Sequence, residues 1–129
     1  MIVLDTHIWI WWANQSKTLG TLHRQFIEQH GAEGLGVSVI SCWEIGNLVE
    51  KGRLKLNTPL RVWIDTALNL PGTVLLPLTP QIAIESSQLP PPIHGDPADQ
   101  ILIATARILG IPLMTADQRL IGYPHVTTL

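Results

Sequence analysis

Cysteine is almost absent from this chain. Cys42 stands alone, so no internal disulfide can form, and a reducing compartment suits it. Charge is sparse too, at 14% of residues against 46% apolar, which excludes an intrinsically disordered chain. No stretch approaches the roughly 18 apolar residues that a bilayer span needs. No basic region precedes the first apolar run, and Asp5 interrupts that run, so a secretory leader is not expected. A cytoplasmic protein with no membrane contact is the expectation. Nothing in the way of repeats, low-complexity segments or breaks in composition divides the 129 residues. One domain over 1–129 is therefore expected, able to bury roughly two-thirds of its unfolded surface.

What the chain does have is aliphatic runs alternating with helical patterns. Residues 1–4, 35–40, 74–78 and 111–114 read as strands, with 126–129 as a possible extra edge strand. Between them, 8–13, 19–29, a helix opened by Ser41, 60–70, a helix begun by Thr79-Pro80 and 97–109 read as helical. Strands alternating with helices imply an α/β fold, a parallel sheet with helices on both faces. The turn at 8–13 is apolar all round and carries Trp9, Trp11 and Trp12, so it belongs in the core or in an interface.

The acids are the conspicuous polar feature. Asp5, Glu44 and Asp117 each follow a predicted strand, at the carboxyl edge where parallel α/β sheets place their ligands. Asp96 at the N-cap, Pro97 at the first helical position and Asp99 open the helix that Gly110 ends. Bland readings exist: Asp96 as a plain cap, Asp99 as a first-turn acid, Asp117 as a turn cap. Glu44 can be the partner of Ser41 in an S-x-x-E capping box. Asp5 has no such excuse. Carboxylates gathered within ~4 Å repel by about 4 kcal/mol per pair at an effective dielectric near 20, so a fold gathers them only where something offsets that cost. All-oxygen sites suit Mg²⁺ or Mn²⁺, and no Cys or His spacing points to zinc. A metal held by acids points in turn to phosphoryl chemistry. Net charge is −2, but with these five acids set aside the other five face eight Lys and Arg. Nucleic acid is thus not excluded.

Four motifs carry a resemblance. Met-Ile-Val-Leu-Asp5-Thr6-His, Ser41-Cys-Trp-Glu44-Ile, Asp96-Pro-Ala-Asp99-Gln-Ile-Leu-Ile-Ala-Thr-Ala and Thr115-Ala-Asp117 resemble, in order and spacing, the motifs of PIN-domain ribonucleases. The subgroup they are similar to is the VapC-type toxins of bacterial toxin–antitoxin pairs. The resemblance implies a parallel sheet of order 3-2-1-4, one or two Mg²⁺ or Mn²⁺ ions, and endonucleolytic RNA cleavage leaving 5′-phosphate and 3′-hydroxyl ends. It places Asp5, Glu44, Asp99 and Asp117 at the four acidic positions, with Asp96 as an extra acid. Asp5 and Asp99 lead as metal ligands, the other three acting directly or through water. Thr6 and Thr115 are supporting hydroxyls. Gln100 stands where Arg is common in the subgroup. The resemblance also implies an antitoxin of VapB or Phd type, and a homodimer. The antitoxin is expected to insert an Arg or Lys among the acids and to lay an apolar helix on the tryptophan-rich turn or beside Leu48 and Val49.

Around this set, His7 and His94 are read mainly as structural or solvent-facing neighbours of the acids. Lys51, Arg53 and Lys55 form a basic cluster that either tracks an RNA backbone or closes a helix C-terminus. Two other classes compete. A haloacid-dehalogenase-like phosphatase wants a second Asp two residues after the first, where His7 stands, and a receiver domain wants paired acids there. A catalytically silent PIN-like scaffold would bind RNA or metal without cutting.

Overall fold

The computed structural model describes residues 1–129. Its elements run β1 (Ile2–Leu4), α1 (Thr6–Ala13), α2 (Thr21–His30), β2 (Leu35–Ser38), α3 (Val39–Glu50), α4 (Leu60–Leu68), β3 (Thr73–Leu76), α5 (Pro80–Ser87), α6 (Pro97–Leu109), β4 (Leu113–Met114) and α7 (Gln118–Ile121). A 3-10 turn, Gly31–Glu33, leads into β2. The four strands are parallel in the order β3-β2-β1-β4, the topology expected from the resemblance.

The two-residue side-chain period of the strands divides the core. Ile2 and Leu4 of β1, with Leu35 and Val37 of β2 and Met114 of β4, face a cluster completed by Ile8, Trp9, Ile27, Ile45 and Trp63 from α1 to α4. Val3, Leu76 and Leu113 point the other way, onto Leu102, Ile103, Ala106 and Leu120 of α6 and α7. Gly36 in β2 is a packing requirement: a Cβ there would sit 2.7 Å from the Leu76 side chain and 3.0 Å from the Ile2 carbonyl. The sheet therefore closes at that point only without a side chain. No helix is long and apolar enough to cross a membrane.

Local sequence explains most of the boundaries. Asp96 caps α6 by accepting the Asp99 N–H at 3.0 Å, Pro97 follows it, and Gly110 ends the helix in the left-handed conformation at φ 66°. The second strand is the exception. Ser38, not Ser41, caps α3, its Oγ accepting the Ile40 N–H at 3.1 Å. The capping box read at Ser41 to Glu44 is therefore wrong. An equally good cap three residues upstream starts the helix earlier and draws Val39 and Ile40 out of the strand. The tail adds an isolated bridge, Leu113 to Thr128, instead of a full edge strand. The single turn of α7 after Asp117 was not expected.

Candidate metal centre

The carboxyl edge of the sheet opens into a cleft of about 430 Å³ whose wall holds Asp5, Glu44, Asp96, Asp99 and Asp117 together with His7, Trp11 and Arg119. All five acids singled out in the sequence thus meet in one place. Asp5 comes from the β1–α1 junction, Glu44 from the interior of α3, Asp96 and Asp99 from the start of α6, and Asp117 from the turn after β4.

Asp5 is buried and held by neutral donors. Its Oδ1 accepts the Thr6 N–H at 2.7 Å and its Oδ2 accepts the Thr115 hydroxyl at 2.7 Å. The Thr115 oxygen in turn accepts the Asp117 N–H at 3.0 Å. One buried hydroxyl thereby fixes two of the acids relative to each other. Thr6 supports differently: its Oγ1 lies 2.8 Å from the Ser41 hydroxyl and ties α1 to α3. Ser41 is used, but as this link and not as a cap. Glu44, freed from a capping role, has a buried Oε1 with no hydrogen-bond partner.

The α6–α7 side is arranged otherwise. The Nε2–H of His94 donates to Asp99 Oδ2 at 2.7 Å, and Gln100 Nε2 holds the His94 carbonyl at 2.9 Å. Gln100, the departure from the subgroup pattern, therefore steadies the loop that carries His94. His94 is a partner of the site and not a solvent-facing neighbour. Arg119 was missed by sequence reasoning. Its guanidinium takes Asp117 in a fork, Nε to Oδ1 at 3.3 Å and Nη2 to Oδ2 at 3.0 Å, and Nη2 also lies 3.7 Å from Asp99 Oδ2. The signal was present in the sequence, an Arg two residues after an acid that caps a helix.

Burial pushes the carboxyl groups of Asp5, Glu44 and Asp99 above their ordinary range. The Thr115 hydroxyl offsets this at Asp5, the Thr6 hydroxyl at Glu44 and His94 at Asp99, while neighbouring acids add to the upward push on all three. Asp117 goes the other way, held low by its hydrogen bonds from Arg119. Oxygens of Glu44, Asp96 and Asp99 lie within 4.8 Å of one another, close enough to share one cation. The unpartnered Oε1 of Glu44 and the all-oxygen donor set fit a hard divalent ion.

Of the remaining candidates, His7 lies on the cleft rim with its ring 5.8 Å from Trp11. Trp9 is buried, edge-on to Trp63 at 5.3 Å, as a core residue should be. Lys51, Arg53 and Lys55 are exposed, make no ion pair, and lie outside the acid cleft beyond the end of α3.

An acid-walled cleft at the carboxyl edge of a parallel 3-2-1-4 sheet defines a class of α/β domain whose gathered acids could hold a cation. The PIN domain family matches residues 2–125, and the chain belongs to that family. It is 35% identical over 124 residues to Ribonuclease VapC22 of Mycobacterium tuberculosis, covering 96% of this chain and 92% of that protein. Two solved structures share the fold at lower identity. The VapBC2 structure from Rickettsia felis, bound to a DNA fragment from its promoter, matches with TM-score 0.74 and 17% identity over 100% of this chain and 98% of that one. A toxin–antitoxin complex from Klebsiella pneumoniae matches with TM-score 0.65 and 19% identity over 100% and 96%.

Proposed function

We propose that the chain is a cytoplasmic, Mg²⁺- or Mn²⁺-dependent endoribonuclease and the toxin of a toxin–antitoxin pair. The carrying observation is the convergence of five carboxylates from separate parts of the chain on one cleft, with Glu44 Oε1 buried and unpartnered among them. The likeness to a named ribonuclease over 96% of the chain supports RNA as the substrate class.

Glu44, Asp96 and Asp99 would hold one ion. Asp5, a leading ligand by the resemblance, lies outside that group but lines the same cleft, oriented by Thr6 and Thr115 with lone pairs to spare. A bound ion supplies charge neutralisation at the phosphate and a water of lowered pKa. The residues' own part is to fix that geometry in advance: the Thr115 hydroxyl sets Asp5 and Asp117, and His94 sets Asp99. His7 and Arg119 line the same cleft, where a phosphodiester can meet them beside the acids. Lys51, Arg53 and Lys55 then receive the strand about 10 Å further along the axis of α3, taking 1.5 Å per residue.

The partner reading follows the complexes of similar fold. An antitoxin carrying an Arg or Lys into the cleft blocks both ion and RNA, and two copies of this chain pair in the assembly. The test is cleavage of a single-stranded RNA with added Mn²⁺, with a chelator, and with Asp5→Asn or Asp99→Asn. Activity that is restored by Mn²⁺ after chelation and lost in both variants is expected. Cleavage by chelated Asp5→Asn protein would overturn the metal-dependent reading. Metal uptake and RNA retention without cleavage would make the chain a binding scaffold.

A further inference from the structure

Arg119 is more than the partner of a helix cap. A capping aspartate is satisfied by the backbone, and Asp117 already accepts the Arg119 N–H at 2.9 Å. The guanidinium nevertheless folds back over the cleft, forks onto both oxygens of Asp117 and brings Nη2 to 3.7 Å from Asp99 Oδ2 on a different helix. It lines the acid cleft itself. Two of the five acids are thus charge-balanced by a cation belonging to the chain, on a side chain that remains 61% exposed and is anchored by nothing but these carboxylates. By contrast Asp5 is held by neutral donors, and Glu44 Oε1 by none.

We propose that Arg119 is an exchangeable internal counter-ion: its guanidinium sits on the Asp117–Asp99 side of the cleft and gives up those oxygens when a divalent cation binds. The inference rests on the metal-centre reading above. Both cations draw on Asp99, and Asp117 lines the same cleft, so each weakens the other's hold, and the coupling is reciprocal. A divalent ion prevails because it binds the remaining acids as well, while the guanidinium keeps only an exposed pair, which is weak. The guanidinium relieves repulsion among the acids without closing the cleft, because the arginine side chain stays 61% exposed.

The experiment is calorimetric titration of Mn²⁺ into metal-stripped wild type, Arg119→Gln and Arg119→Lys, each first checked for a wild-type thermal melt. Arg119→Gln should tighten Mn²⁺ binding roughly two- to fivefold, the range an exposed ion pair can supply. Arg119→Lys keeps the charge but loses the fork, and should fall between the other two. Unchanged or weaker binding in Arg119→Gln overturns the proposal, because Arg119 would then be idle or would be positioning Asp117 as a ligand. Lysine equal to arginine overturns it as well, leaving only diffuse charge. A second readout is the Arg119 Nε–H resonance under Mg²⁺ titration, which should move towards a solvent-exposed value at saturation, and an unmoved signal counts against exchange. Absence of Mn²⁺ binding in all three proteins brings down the metal-centre reading itself, and this proposal with it.

Discussion

The cleft has an inner wall from β1 and α3, with Asp5 and Glu44, and an outer wall from α6 and α7, with Asp99 (as buried as Asp5) and Asp117, and the two keep their acids in different ways. On the inner wall, Asp5 accepts from a backbone N–H and a buried hydroxyl, and Glu44 keeps one oxygen unpartnered. On the outer wall, Asp99 faces His94 and Asp117 faces Arg119. Neutral donors aim a carboxylate while leaving its charge available. A cationic partner such as Arg119 balances the charge and must be exchanged before a metal can use it. Glu44 with Asp96 and Asp99 would then set the position of an ion, Thr115 the aim of Asp5, and the partners on Asp99 and Asp117 the cost of admitting the ion. Changes to the neutral donor on the inner wall should accordingly disrupt more than changes to the cationic partner on the outer wall.

The largest expected effect short of removing a ligand is at Thr115, which is fully buried. Thr115→Val keeps the shape, so no cavity forms, but Asp5 loses a donor and the Asp117 N–H loses its acceptor. Stability should fall by about 1–3 kcal/mol, the usual cost of stranding a buried polar group. Metal affinity should fall by roughly 10- to 100-fold, as for other outer partners of metal ligands. Urea denaturation and a Mn²⁺ titration measure the two losses. A variant that melts earlier but binds Mn²⁺ as tightly as wild type would show that Asp5 does not depend on Thr115 for its aim.

Much of this arrangement was legible in the chain. The strand order and the acid positions came from motif order, and the α6 start from the Asp96-Pro97 cap, because each depends on short-range chemistry. Glu44 reaches the cleft from inside α3, not from the end of a strand as its position after an apolar run suggested. Ser38 and Ser41 are both chemically able to cap α3, and the sequence pattern alone does not decide between them. What could not be read were contacts made by folding back, such as Arg119 reaching over to Asp99, or Gln100 holding the His94 carbonyl. Helical periodicity places a side chain on a face but does not say which carboxylate a long side chain will choose. The same applies to α7, a single turn too short to show a period.

A smaller effect concerns pH. The carboxyl groups of Asp5, Glu44 and Asp99 titrate above their unfolded range because burial disfavours the charge. The folded chain therefore holds more protons than the unfolded chain just above about pH 4, and the stability of metal-free protein falls as pH rises through that window. Asp117, with its lowered value, acts in the opposite sense and loses its contribution as pH drops below that range. Glu44→Gln removes one of the buried charges without a cavity, so it should raise the metal-free melting temperature and flatten the slope. Mg²⁺ at a hundredfold excess over Kd should stabilise wild type by about 2.7 kcal/mol through mass action, and the variant by less. Thermal melts from pH 4 to 8 with and without Mg²⁺ measure both. A metal-free stability that rises across that window would mean the acids are not crowded.

The smallest effect lies outside both walls. Lys51, Arg53 and Lys55 are exposed and unpaired, and share no lining with the cleft, so they cannot influence the ion through contact. Their replacement together by Ala should leave Mn²⁺ affinity and the melting temperature near wild type, since surface changes away from structural features cost within about 0.5 kcal/mol. What should change is the salt dependence of RNA binding. Each phosphate contact on a single strand contributes a slope of about 0.7 in log K against log salt, so losing three lowers the slope by about 2. Measured with a chelated, uncleaved RNA over a salt series, a slope reduced by that amount places the strand across the end of α3. An unchanged slope assigns these cations to the C-terminus of α3, where three positive charges are favourable on their own account.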